Sequence, residues 1–318
     1  MVVMKNATFR QLKTFEAVSR LLNYTRAAEE LHLSQPAVSM QIKQIEEHAG
    51  MRLFEQIGKR TFHTEAGEQV RRLALAMLSQ VKDCEDTLAS LRGATGGHLE
   101  LIVVSTAKYF APQLLSAFSK SHVGVTVKLS VNNREQVIQQ LLENRGDLAI
   151  MGRPPRGLDA MASAFAKHPH GIIAPPDHPM AKKRRINLKL LSGENFLIRE
   201  SGSGTRTSME RVFADRGVKL VSSMELASNE TIKQGVMAGL GLSYLSLHTV
   251  GLELATGKLI RLDVIGTPVV RQWYVIQRRG KILSPLAERF REFLIEKGAS
   301  LIEQTTGIST GDSAARSG

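Results

Sequence analysis

The chain has 318 residues, long for one core, which predicts two or three domains. Hydrophobic residues make up 42% and charged residues 23%, enough apolar material for packed cores and too balanced for wholesale disorder. A single cysteine, no secretory start and no apolar run near the roughly 20 residues that span a bilayer set aside secreted and membrane readings in favour of a reducing, cytoplasmic setting.

The net charge of +12 points to a polyanionic or phosphorylated partner. Residues 1–95 hold 13 Lys+Arg against 11 Asp+Glu, so +10 of that charge lies beyond residue 95. Local pattern, not bulk charge, must therefore identify any DNA-binding segment.

Thr8 and Gln11 fit a capping box, and Phe9, Leu12, Phe15, Val18 and Leu22 recur at helical spacing, which predicts a first helix. A second, short helix runs over 24–31, where Ala27 and Ala28 let a neighbour approach closely. Ser34 is a good N-cap and Pro36 falls in the first turn, which predicts a third helix over 35–48 and so a helix-turn-helix. On it Val38, Ile42 and Ile45 share one face; Pro36, Met40, Lys43 and Glu47 lie opposite, flanked by Gln35 and Ser39. A recognition helix needs this division. Gln35 can pair with adenine, Lys43 with guanine or phosphate, Ser39 with either; a merely solvated face is the alternative. Two short extended stretches around Gly58, over 53–64, predict a wing whose Lys59, Arg60 and Thr64 reach phosphates.

FRQLKTF at 9–15, TRAAE at 25–29, LSQPAVS at 33–39, QIE at 44–46, LF at 53–54 and TEAG at 64–67 together resemble the LysR-type transcriptional regulators. Six blocks in order are far more specific than one motif. With the resemblance added, the expected DNA-contacting set is Thr25, Ser34, Gln35, Pro36, Ala37, Ser39, Met40, Lys43, Lys59, Arg60 and Thr64, within a winged helix-turn-helix domain over 1–65. Many members carry arginine where Gln56 stands and leucine where His63 stands.

Residues 66–92 read as one long helix, with Val70, Ala74, Met77, Val81, Cys84, Leu88 and Leu91 at heptad spacing. Such a stripe needs a partner, most simply the same helix of a second chain, and Cys84 on it reads as a small buried hydrophobe rather than a redox sensor. Two symmetric heads would then require an inverted-repeat operator in double-stranded DNA.

GATGG at 93–97 predicts a hinge. Beyond it, short apolar strands at 99–104, 125–131 and 148–151 alternate with helices at 111–118 and 135–144, the rhythm of an α/β domain with a largely parallel sheet. A second round runs over 171–262, and a strand at 271–277 and a helix at 284–297 follow. The fold class is thus α/β with an all-α winged helix-turn-helix domain in front. The second part, 93–300, resembles the two-lobed periplasmic-binding-protein-like effector domain of the same family, with lobe I about 97–168 and 269–300, lobe II about 169–268, and a tail over 301–318, disordered from 307 onward.

Ligands in open α/β sheets settle beyond the carboxyl ends of strands, near helix N-termini. That geometry selects Ser105, Thr106, Asn133 and Arg153, and, in the second lobe, Ser201, Ser203, Gly204, Thr205 and Arg206, the last as a fork for a carboxylate or phosphate. A capped loop opening a helix is the plainer reading of the 199–206 stretch. Asn229 and Glu230 are further candidates, against an equal case for a structural cap.

No Walker or dinucleotide spacing is present, and no carboxylate or cysteine completes a metal site around His168, His170 and His178. The run Lys182, Lys183, Arg184 and Arg185 reads as solvated, with DNA wrapping or ligand entry as the rival role. No spacing marks a nucleophile with its base, which counts against an enzyme, and a periplasmic solute-binding protein would lack the helix-turn-helix.

More narrowly, LFEQIGK at 53–59, IMGRPP at 150–155 and ESGSGTR at 200–206 are similar to regulators of Calvin-cycle (rubisco) operons. The resemblance implies no cofactor but an effector that is a phosphorylated sugar, an organic acid or NADPH. It further implies a tetramer of two dimers, activation of a neighbouring operon with RNA polymerase as a partner, and an effector-driven population shift. Regulators of sulfur or amino-acid operons stand as the alternative.

Overall fold

The computed structural model describes residues 6–58, 60–91, 97–155 and 157–309. The chain divides into two compact units, the first essentially the residues through Thr87.

In the first unit, helix α1 (Phe9–Leu21) starts at the Thr8–Gln11 capping box and α2 (Tyr24–Leu31) at Asn23, whose Oδ1 accepts from the Arg26 N–H. Helix α3 (Gln35–Ala49) is capped by Ser34 and closed by Gly50 in the left-handed region. Leu12, Phe15, Val18, Ala27, Ala28, Val38, Ile42, Ile45 and Leu53 form their common core. Each large member contributes about 1.5–3 kcal/mol by leaving water. Strands β1 (Phe54–Ile57) and β2 (Arg60–His63) pair antiparallel, Phe54 opposite His63. The unusual His63 packs its ring 5.4 Å from that of Phe54 and shares a 2.6 Å hydrogen bond with the Ser19 hydroxyl, so it fills an apolar position and satisfies a polar one.

Helix α4 (Glu65–Leu91) takes the expected course, but its stripe divides. Val70 and Ala74 are buried in the core of the first unit, whereas Leu73, Met77, Val81, Cys84 and Leu88 are exposed. Cys84 is therefore not buried within its own chain, and the apolar line open to a partner begins at Leu73 rather than Val70. Helical spacing shows that a residue must be covered; it does not show by which neighbour.

The second unit follows the order β3 (Gly97–Val104), α5 (Ala111–Ser119), β4 (Val125–Asn132), α6 (Arg134–Leu142), β5 (Leu148–Met151), β6 (Ala160–Ala174), β7 (Phe196–Arg199), α7 (Gly204–Ala214), β8 (Ser222–Leu226), α8 (Asn229–Met237), β9 (Ser243–Ser246), α9 (Gly251–Ala255), β10 (Ile260–Arg261), β11 (Val269–Arg278) and α10 (Pro285–Thr306). One seven-stranded sheet runs β10-β6-β11-β5-β3-β4, with β9 also on β6, while β7 and β8 pair separately. The sheet is mixed rather than largely parallel. β3 pairs β4 and β5 in parallel, but β11 meets β5 and β6 antiparallel. The long strands β6 and β11 cause this: they pair with each other, and β11 also pairs with β5 of lobe I while β6 pairs with β9 and β10 of lobe II. One apolar core lies under lobe I and two lie in lobe II.

Helix α10 runs past the expected stop at residue 297 and past the domain end drawn at 300. A glycine inside a helix usually marks its end, but here the lack of a side chain at Gly298 admits the ring of Phe165, and Gly307, at φ 66°, makes the left-handed cap. Ile302 is in the lobe I core, so the tail begins after the cap; residues 310–318 lie outside the described part. Among the described residues, no helix is long and apolar enough to cross a membrane.

Candidate functional site

The candidate residues gather on two surfaces. On α3, Val38, Ile42 and Ile45 are buried, while Gln35, Pro36, Met40 and Lys43 are exposed and Ala37 and Ser39 half-buried. Gln35 Nε2 donates to Ser39 Oγ at 2.9 Å, which holds the two polar groups as one preset pair. Thr25 and Arg60 are exposed. Ser34 Oγ accepts from the Ala37 N–H, and Thr64 Oγ accepts from the Gly67 N–H at 3.0 Å while donating to the Arg52 carbonyl at 2.8 Å. Both hydroxyls thus serve first as helix caps, and the free Thr64 hydroxyl that the sequence suggested is occupied. Lys59 lies outside the described residues. Between α3 and the wing runs an open groove lined by Gln35, Ser39, Lys43, Arg52, Gln56 and Thr61, among others. Arg52, highly exposed and 3.5 Å from Glu46, is a groove cation without a sequence signal, because it stands alone between elements.

In the second unit, a cavity of about 330 Å³ opens at the carboxyl ends of β3, β5 and β7 and at the start of α7. Ser105, Thr106, Ser203, Gly204 and Thr205 line it, as sequence geometry suggested. Ser203 stands at the α7 N-cap without a side-chain capping bond, so the first N–H groups of that helix are free to meet an anion. Gly202, at φ 81°, makes the tight turn before it, and a Cβ there would strike Glu135.

The other six candidates do not line the cavity. Asn133 caps α6, exchanging hydrogen bonds with Gln136; Arg153 is exposed and offers only its backbone carbonyl, to Arg134; Ser201 is exposed. Arg206 is tied to Glu210 at 2.8 Å and to Glu225, so its fork is already filled. Asn229 is buried and accepts from Arg199 Nη1 at 2.6 Å, which orients that arginine. Glu230 accepts from the Tyr109 hydroxyl and pairs with Lys233 at 3.0 Å; burial would raise its carboxyl, but these two donors hold it below the usual range.

The cations at the cavity are Arg134, Arg199, Arg211 and Arg271. Arg199, 3% exposed, is neutralised by a bidentate pair with Glu200 and also donates to Ser105 Oγ at 3.1 Å. Arg134 and Arg271 have no carboxylate partner among the described residues. Burial, and then repulsion from Arg271, lowers the pKa of Arg134. Two like charges beside the cavity without a counter-ion favour an anion there. Arg271 carries no distinct sequence signal, since β11 also holds Gln272, Gln277 and Arg278.

His168 and His170 line the same cavity. Burial lowers His168 far below its ordinary value and takes His170 to about 3, so both are neutral at pH 7. Among the described residues no group of three His, Cys, Asp or Glu could hold a metal.

Residues 9–68 match the family described as bacterial regulatory helix-turn-helix protein, lysR family, and residues 92–299 match the LysR substrate binding domain. A RuBisCO operon transcriptional regulator of Allochromatium vinosum is 49% identical over 93% of this chain and 98% of its own. The regulator CfxR of Cupriavidus necator is 46% identical over 94% and 95%. The regulatory domain of Synechocystis CcmR, solved in complex with 2-PG, superposes with a TM-score of 0.61 at 40% identity, covering 63% of this chain and 96% of that one.

Proposed function

The chain belongs to the LysR family of transcriptional regulators, DNA-binding proteins rather than enzymes, and from that premise we propose that it controls a carbon-fixation operon in response to a small phosphorylated acid. The observation that carries the effector class is the pair Arg134 and Arg271, unneutralised beside the cavity hydroxyls. The 2-PG complex of the Synechocystis CcmR regulatory domain supports 2-phosphoglycolate as the first ligand to try. At about 330 Å³ the cavity is near the small end of ligand sites, roughly 300–1,000 Å³, which favours such an acid over NADPH.

In this reading α3 enters the major groove with Gln35, Ser39, Met40 and Lys43 toward base edges, with Pro36 and Ala37 against the groove wall. Thr25, Ser34, Lys59 and Arg60 hold the phosphates, and Thr64 acts indirectly, its hydroxyl capping the helix that follows the wing. Leu73, Met77, Val81, Cys84 and Leu88 join two copies, which pair further as a tetramer on an inverted repeat in the cytoplasm. Effector binding shifts the balance between two arrangements of the assembly and so the bend in the DNA.

The test is a footprint and bend measurement on DNA upstream of a carbon-fixation operon, with a calorimetric titration of the full chain. A phosphorylated acid is expected to bind and change both. Heat from uncharged compounds only, or an unchanged bend and footprint at saturation, overturns the reading.

A further inference from the structure

His168 and His170 stand two residues apart on β6 and so share a face of that strand. The register sets Arg271 of β11 opposite His168 and Val269 opposite His170, and all four line the cavity. His170 is 1% exposed. Its ring stacks on that of Tyr244, with centroids 5.5 Å apart, and lies 4.1 Å from that of His168, which leaves its edge for the cavity. Its Nδ1 is 3.2 Å from the His168 carbonyl oxygen. A carbonyl can only accept, so Nδ1 carries the hydrogen, and Nε2 of the neutral ring is a bare acceptor. No donor among the described residues meets it.

The surroundings keep it so. Burial, and then Arg271, disfavour the charged ring. The titratable and polar groups around it are His168 on its own strand, Tyr244 on β9 with the Ser208 hydroxyl of α7 at 3.2 Å from its Oη, His248 after β9, and Arg271. Arg134 and Arg199 line the same cavity. The acid that lines it, Asp215, is exposed and faces Arg211 at 3.7 Å. A fully ionised ligand held by Arg134 and Arg271 would set lone pair against lone pair at His170 Nε2.

We propose that the effector site takes its anion together with one proton, held between His170 Nε2 and an oxygen of the ligand, so that His170 selects phosphate monoesters and other acids able to share that proton. This deepens the anion-site reading above and rests on it. Below the second phosphate pKa, about 6, the ligand brings the proton itself; above it, the proton comes from solvent. Only that one N–H or O–H bond is made. The ligand anion also offsets the charge of Arg271 that keeps His170 neutral.

The experiment is calorimetry of the full chain with 2-phosphoglycolate, and with inorganic phosphate in parallel, at pH 7, 8 and 9 in buffers of different ionisation enthalpy. Uptake approaching one proton per site and about a tenfold loss of affinity per pH unit are expected. His170→Gln, checked for folding by circular dichroism, presents an amide that can donate, and should bind with heat independent of buffer and affinity flat across the range. Binding without proton uptake by the unaltered chain, or an unchanged pH slope in H170Q, overturns this inference and leaves the anion site standing. No heat from either phosphate at any pH overturns both.

Discussion

Arg134 and Arg271 repel one another, and in the proposed site a bound anion relieves both. Arg271→Gln should therefore raise the Kd for 2-phosphoglycolate roughly ten- to hundredfold, the loss of one charged hydrogen bond of about 1.5–3 kcal/mol. The unliganded protein should melt no lower than before, because a cation without a partner has been removed. Arg206→Ala should change that Kd by less than about threefold, since its guanidinium serves Glu210 and Glu225. Calorimetry and thermal melts of the two variants separate these outcomes, and the reverse ranking would return the anion to the α7 loop. A second residue reports directly. Trp273 is the sole tryptophan and stacks 3.7 Å from cavity-lining His168, with its Nε1 donating to His248 Nδ1 at 3.1 Å. Effector binding should shift its emission, and a saturating titration with no spectral change would place the ligand elsewhere.

At the scale of elements, α3 has two faces with different jobs. Ile42→Ala should cost about 2–5 kcal/mol and unfold the first unit, because the side chain is buried in its core. Lys43→Ala should leave the melt unchanged and reduce the salt dependence of DNA binding by about one counter-ion if the lysine meets a phosphate. In α4 the exposed stripe is the proposed contact with a second chain. Met77→Glu places a charge in its middle and should shift sedimentation toward smaller species; an unchanged profile would move the dimer contact off this helix.

For the whole molecule, three buried imidazoles set an acid limit. Burial lowers His168 strongly, His170 to about 3 and His248 to about 4, whereas in the unfolded chain each titrates near 6.5. Between those values the unfolded chain binds more protons, so stability is complete above about pH 6.5 and falls as the pH drops. Each ring contributes roughly 1.4 kcal/mol per pH unit in that window. Melting temperatures of the unliganded protein should decline from pH 7 to pH 5, and a flat profile would show that the rings are not held neutral. Charge distribution acts at the same scale: with +10 of the net +12 beyond residue 95, DNA affinity must come from groove-facing residues of the first unit rather than from its bulk charge.

The order of helices, the wing, the long fourth helix and the alternating second part were legible because they depend on neighbours in sequence: caps such as Thr8 and Ser34, periods such as Val38, Ile42 and Ile45, and turns such as Gly58. That Ser105, Ser203 and Thr205 come together at one cavity was legible for the same reason, since they follow strands and open a helix. The charge of that cavity was not. Arg206 and Arg271 are the same residue type, and only long-range folding pairs one with Glu225 while leaving the other free opposite His168. The mixed sheet, the split stripe of α4 and the acceptor edge of His170 likewise belong to tertiary structure, because strand register and the choice of covering neighbour join residues far apart in the chain.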